Sequence, residues 1–249
     1  MAEMIPGLRE RQVTDQKLSF GLYFVLLLVF VVLGMIIGSF SFWFGWSKVV
    51  SPIVSMAIGI YIWWYNWRLY KRRNEHFGRI KRLKAGLMNM LSEKLQADVT
   101  SLTSTDLHLA KREQVRSKGL FLAWLVFAYL GYLSPLHMAF SAFSLVGLVL
   151  SLIVLYYLTV DFHYHEQGEI AFLARVSEIL KQKEISFDAT VVDPLPRRRY
   201  GLYIFLSIIT FGLFGLYWAY VVFRDPNHHF DTHEHWESQL ERIVATDIS

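Results

Sequence analysis

Five long uncharged stretches, at residues 18–47, 49–67, 119–133, 138–160 and 200–223, constrain this chain more than anything else in it. A bilayer core about 30 Å thick takes about 20 residues of helix. A soluble fold cannot bury so many runs of that length, and hydrophobic residues make up 54% of the chain, above the about 45–50% of ordinary domains. The third and fourth runs are separated by Ser134, Pro135, Leu136 and His137, where turn-forming residues and a proline stop a helix. They therefore read as a helical hairpin. The first run follows a polar leader and lacks a small-residue cleavage site, so it is expected to stay as an anchor.

The distribution of positive charge orients these spans. Of the 25 Lys and Arg residues, three precede the first run, thirteen lie from Arg68 to Lys118, six from Arg175 to Arg199, one is Lys48 and two are in the tail. The positive-inside rule then places the amino terminus and segments 68–118 and 161–199 in the cytoplasm, with the turns near Lys48 and Pro135 outside. Aromatic belts agree: Phe42, Trp43, Phe44 and Trp46 gather at one interface, and Trp63, Trp64, Tyr65, Trp67 and Tyr70 at the other. For the fifth run a single span is favoured, which would put the tail outside. The alternative is a short re-entrant hairpin turning at Gly212–Gly215, which would return the tail to the cytoplasm.

Sliding the chain against itself at offsets of 89 and 64 residues superposes three junctions. Trp67, Tyr156 and Tyr220 share one column, Asn74, His163 and Asn227 another, and His76, His165 and His229 a third. Hydrophobic columns follow: Leu83, Phe172 and Trp236; Leu87, Val176 and Leu240; Met90, Ile179 and Ile243; Leu91, Leu180 and Val244. Their spacing keeps them on one helix face, with Arg82, Lys84, Arg175, Glu178, Glu237 and Glu241 on the other.

The expected fold is all-α. It is a polytopic transmembrane helical protein of two helical hairpins plus a fifth apolar segment, with cytosolic amphipathic helices in an internal repeat. Its parts are a cytoplasmic leader (1–17), repeat 1 (18–97), a linker or helix (98–117), repeat 2 (118–184), a linker (185–199) and a shortened repeat 3 (200–249).

Thr210-Phe211-Gly212-Leu213-Phe214-Gly215-Leu216-Tyr217-Trp218, followed by Asp225-Pro226-Asn227-His228-His229-Phe230, resembles the signature of a prokaryotic multi-pass membrane family of unknown function, over residues 198–244. Asn74-Glu75-His76-Phe77 is similar to a second instance, and Asp161-Phe162-His163-Tyr164-His165 departs from it. The resemblance implies a membrane protein and carries no activity with it.

The chemical candidates are few. His228, His229, His233 and His235 lie near Asp231, Glu234 and Glu237, and His229 with His233 is an i, i+4 pair able to ligate a metal. His76, His163 and His165 could add to such a cluster or ligate a haem. The competing and favoured reading is a solvated amphipathic helix that begins at Asp231, with Glu234 completing a capping box. The spans hold no ionisable residue once Lys48 and His137 are assigned to turns, which argues against pumps and proton-coupled carriers. No phosphate-binding loop, dinucleotide fingerprint or nucleophile elbow is present, so neither an enzyme nor a cofactor is expected.

Gly34 with Gly38 and Ser55 with Gly59 are small-residue pairs for close helix packing. Lys71, Arg72, Arg73 and Arg79 suit anionic lipid head groups, and nucleic acid is not expected. The resulting expectation is a non-enzymatic accessory or scaffold subunit, either a homo-oligomer or part of a larger membrane complex. It would dock through Leu83, Leu87, Phe172, Val176, Trp236 and Leu240 on each other or on a partner. The alternative is metal binding or passive small-solute transport through the histidine-rich tail.

Overall fold

A computed structural model of the chain describes residues 4–110, 113–132, 140–191 and 193–246. All regular structure among them is helical: α1 (Met4–Arg9), α2 (Arg11–Thr14), α3 (Phe20–Trp43), α4 (Ser47–Glu93), α5 (Thr100–Ala110), α6 (Lys118–Tyr132), α7 (Phe140–Gln182), α8 (Tyr200–Ile209) and α9 (Phe214–Thr246). The expected turn at Ser134–His137 lies outside the described residues. Two helices are long and apolar enough to cross a membrane, Phe20–Trp43 and Ala142–Gln182.

The chain divides into two compact units, Leu18–Lys71 and the combination of Met1–Lys17 with Arg72–Ser249. In the smaller unit, α3 is started by Ser19, whose hydroxyl accepts from the Leu22 amide at 3.1 Å. It packs along the first part of α4. The Tyr61 hydroxyl donates to the Tyr23 carbonyl at 3.0 Å, and the two rings stack at 5.9 Å. Gly34 permits the closest approach, since a Cβ there would come within 2.8 Å of Val54 Cγ1. Gly38 and Gly59 face open space and Ser55 is exposed, so of the four expected packing residues only Gly34 is held at close range. Large apolar side chains including Leu22, Val25, Leu28, Leu33, Ile36 and Ile53 are exposed.

In the larger unit, α6 lies against the start of α7. Here the close approach is at Gly131 and Gly147, where a Cβ would meet Ser144 Cα at 2.7 Å and Ala128 Cα at 3.0 Å. Neither glycine stood out in the sequence, because the pairing runs between helices rather than along one. Apolar span and amphipathic helix are continuous in both α4 and α7. Each ends on a left-handed residue, Gln96 (φ 48°) or Glu184 (φ 62°), which lets a later amide reach back to an unsatisfied carbonyl: Ala97 to Leu91, Ile185 to Leu180. Within the segment expected as linker or helix (98–117), residues Thr100–Ala110 are helical, starting where the Asp98 side chain accepts from the Thr100 amide at 2.9 Å.

The main core of this unit contains all four hydrophobic columns. Leu83, Leu87, Met90, Leu91, Phe172, Val176, Ile179, Leu180, Trp236, Leu240, Ile243 and Val244 are buried in one cluster, which Leu8 of the leader joins. The docking faces of α4, α7 and α9 are thus occupied by one another. Lys84 and Glu237, expected on the solvent faces, are buried as well, each against an opposite charge, Glu113 and Arg79.

The fifth apolar run is not one helix. Residues Thr210–Leu213 form a tight turn with Phe211 (φ 50°) and Gly212 (φ 88°) in the left-handed region, closed by the Gly212 amide on the Ser207 carbonyl at 2.7 Å. α8 folds back on α9, with Tyr203 against Phe214 and Trp218 at 5.2 and 5.8 Å. The favoured continuous span is therefore replaced by a helical hairpin. The expected helix start at Asp231 is absent too: α9 runs through it without a break.

Candidate metal centre

Three helices of the larger unit each aim imidazoles at one point. His76 comes from α4, His165 and Glu169 from α7, and His229 and His233 from α9, and all five are buried. One donor atom from each lies within 4.8 Å of all the others. His76 Nε2 is 3.2 Å from His229 Nε2 and 3.2 Å from His165 Nε2. Glu169 closes the ring: Oε1 is 3.1 Å from His165 Nε2, and Oε2 is 2.8 Å from His233 Nε2 and 3.3 Å from His229 Nε2. Metal–nitrogen bonds near 2.1 Å place neighbouring ligand atoms about 3 Å apart, which is the spacing seen.

The outer nitrogen of each imidazole has its own carboxylate. Nδ1 of His76 faces Asp15 at 2.9 Å, that of His165 faces Glu113 at 3.1 Å, that of His229 faces Glu166 at 3.2 Å and that of His233 faces Glu237 at 2.9 Å. An ionised carboxylate can only accept, so each Nδ1 carries the proton and donates it. That tautomer turns the Nε2 lone pairs inward. Carboxylates in this position orient ligating histidines and raise their basicity.

The carboxylates are held in turn. Arg79 donates to Glu237 at 2.8 Å and to Asp15 at 2.6 Å, Lys84 donates to Glu113 at 2.7 Å, and Glu166 accepts from the Leu195 amide. Arg11 lies 3.8 Å from Glu237. Among the described residues, the five carboxylates that meet the imidazoles thus outnumber the three cationic side chains that meet those carboxylates. With neutral imidazoles the buried cluster has excess negative charge, which either a cation or protons held on His233 and His165 would offset.

Protonation follows the same geometry. Burial holds His76 well below the ordinary histidine range, and burial with the adjacent His233 lowers His229. For His233 the effect of burial is overridden by Glu169 and Glu237, which raise it to about 9. Burial would raise the Asp15 carboxyl, but His76 and Arg79 hold it far below the usual carboxylate range.

Of the four tail histidines named from sequence, His229 and His233 reach the centre and His228 and His235 do not. His228 meets the Asp193 carbonyl at 2.7 Å, and the exposed His235 meets Gln239 at 3.1 Å. At about 100° per residue, neighbours of a ligating position point elsewhere. His163 also turns away, to the Leu195 carbonyl at 2.7 Å. Glu169, Asp15, Glu113 and Glu166 were missed. A signal for the first existed, since Glu169 follows His165 by the same four residues that separate His233 from His229.

The lipid-head-group expectation is corrected for three of its four residues. Arg72, Arg73 and Arg79 are buried and internally bonded. Arg72 donates to Asn227 at 2.8 Å, and Arg73 donates to Asp161 at 2.9 Å with its guanidinium 4.2 Å from the Phe77 ring centre. Lys71 is exposed. Basic residues at a span boundary look alike in sequence whether they face lipid or a buried carboxylate.

No curated protein and no solved structure matches the chain. Residues 198–244, which carry His229, His233 and Glu237, match the sequence profile of a domain of unknown function (DUF4234).

Proposed function

We propose that this chain is a membrane-anchored metalloprotein that holds one first-row transition ion between α4, α7 and α9 on the cytoplasmic side. The observation that carries the reading is the convergence of four imidazole nitrogens and one carboxylate, each imidazole backed by its own carboxylate. Imidazole with carboxylate suits divalent iron, manganese, zinc or nickel, and with no cysteine in the chain a thiolate site for softer ions is out of reach. The accessory-subunit reading loses its motive, because the helix faces that called for a partner are buried against each other.

Elemental analysis of the detergent-purified full chain, equilibrated with divalent ions and desalted, is expected to find one ion per chain. His229→Ala should abolish retention and His235→Ala should leave it intact. A wild-type protein that keeps no ion would refute the reading.

The centre also bears on topology. His76 belongs to segment 68–118, His165 to segment 161–199, and His229 and His233 to the tail, so one shared ion requires all three on the same side. The hairpin of α8 and α9 allows this. Ten residues of α8 reach about 15 Å, half the apolar core, and the tip is apolar and outward-facing, with Phe211 98% and Leu213 73% exposed. We read it as a re-entrant hairpin dipping into the cytoplasmic leaflet. The matching columns of α4, α7 and α9 support three copies of one unit, the third with a shortened apolar part.

The cysteine-free chain makes this simple to check. Single cysteines at Gln12 and Thr246 should react with a membrane-impermeant maleimide only after cells are permeabilised, and one at Trp46 should react in intact cells. Labelling of Thr246→Cys from outside would exclude the re-entrant arrangement.

A further inference from the structure

The two oxygens of Glu169 do not share a partner: Oε1 points at His165 Nε2 (3.1 Å), and Oε2 points at His233 and His229 Nε2 (2.8 and 3.3 Å). A carboxylate ligating through one oxygen leaves the other to a hydrogen-bond donor. Oε1 instead is buried without a well-aligned donor, a costly state for a charged atom. We infer that the centre is a closed six-coordinate shell, four imidazoles and both oxygens of Glu169, which leaves the ion no position for a substrate. This rests on the metal-centre reading above and adds its coordination number and the class of chemistry it excludes.

The surroundings agree. The cavity bordering Glu169 has a volume of about 10 Å³ and is lined by Ile80, Leu83, Leu87, Phe172 and Trp236 among others, room for about one water and for no larger molecule. On the other side the His76 ring packs on Phe162 and Phe230 at 5.9 and 4.9 Å. Phe77 and Leu195 complete that buried cluster. Hydrolytic zinc and oxygen-activating iron centres keep open positions for water or substrate. A sealed, filled shell instead fixes three helices together and limits any redox role to electron exchange without bond formation at the ion.

Cobalt(II) serves as the probe. Loaded into the full chain in detergent, it should give the weak visible bands of six-coordinate cobalt, unchanged by a large excess of azide. Glu169→Ala, with its cobalt retained, should give bands that azide shifts. Intense four-coordinate bands, or an azide shift in the wild type at one cobalt per chain, would overturn the closed shell and leave the metal-centre reading in place. The wild-type spectra decide the matter even if Glu169→Ala does not fold. If elemental analysis finds no cobalt retained at all, the metal-centre reading fails and the closed shell fails with it.

Discussion

Replacing Arg79 by methionine should lower the stability of the detergent-solubilised protein by about 3–5 kcal/mol, the usual cost of removing one partner from a buried ion pair. Arg79 is fully buried, and its guanidinium spans Asp15 and Glu237. Methionine fills much of the same space but leaves Asp15 and Glu237 in the interior without the guanidinium that bridges them. At about 2–4 °C per kcal/mol for a chain of this size, the melting temperature should fall by about 6–20 °C. Arg82→Met is the control. Arg82 pairs with Glu10, but the two side chains are 56% and 42% exposed, so solvent screening leaves under about 1 kcal/mol. Equal losses in the two variants, read by thermal unfolding followed by circular dichroism, would contradict the buried network. Arg79→Met should also weaken metal retention, because the carboxylates orienting His76 and His233 would no longer be fixed.

The second large effect is one of pH, and its sign differs between the metal-free and the loaded protein. His233 meets Glu169, Glu237, His76 and His229, with Asp15 and Arg79 just beyond. In the metal-free site it titrates near 9, against 6.5 for an ordinary histidine. A group whose pKa is raised on folding stabilises the fold fully below its unfolded value and loses that contribution as pH rises through the folded one. Metal-free protein should therefore lose stability between pH 6.5 and 9, by about 3 kcal/mol at 1.36 kcal/mol per unit. An incoming ion must displace this proton and the one that Glu169 and Glu113 favour on His165 against burial, so affinity for a divalent ion should increase at least about tenfold per pH unit from 7 towards 9. Melting curves in chelator and competition titrations with a metal indicator, both over that range, provide the check. Metal affinity that does not change with pH would mean that His233 is not a ligand.

The all-helical class and the apolar segments were legible because hydropathy and spacing are local properties of the chain. The columns of His76, His165 and His229 and of the hydrophobic residues were legible too. Their convergence was not. Three residues sharing a column are only comparable, and a shared ion requires their helices to face each other, which depends on contacts across 89 and 153 residues. The carboxylates escaped for a related reason. Glu237 and Lys84 occupy positions that periodicity assigns to solvent, and they are buried because each meets a charge from a distant segment, Arg79 and Glu113. The hairpin at Thr210–Leu213 was legible only as an alternative, because a run of apolar residues interrupted by glycine fits a kinked span as well as a turn.

The clasp formed by Arg79 joins Asp15 to Glu237, two residues far apart in the sequence. The ribosome makes the second of these long after the first, and the intervening helices form meanwhile. The cluster therefore stays incomplete until Glu237 has been made. A nascent polypeptide that has not reached Glu237 would carry these charges unclosed, an easy mark for quality-control proteases.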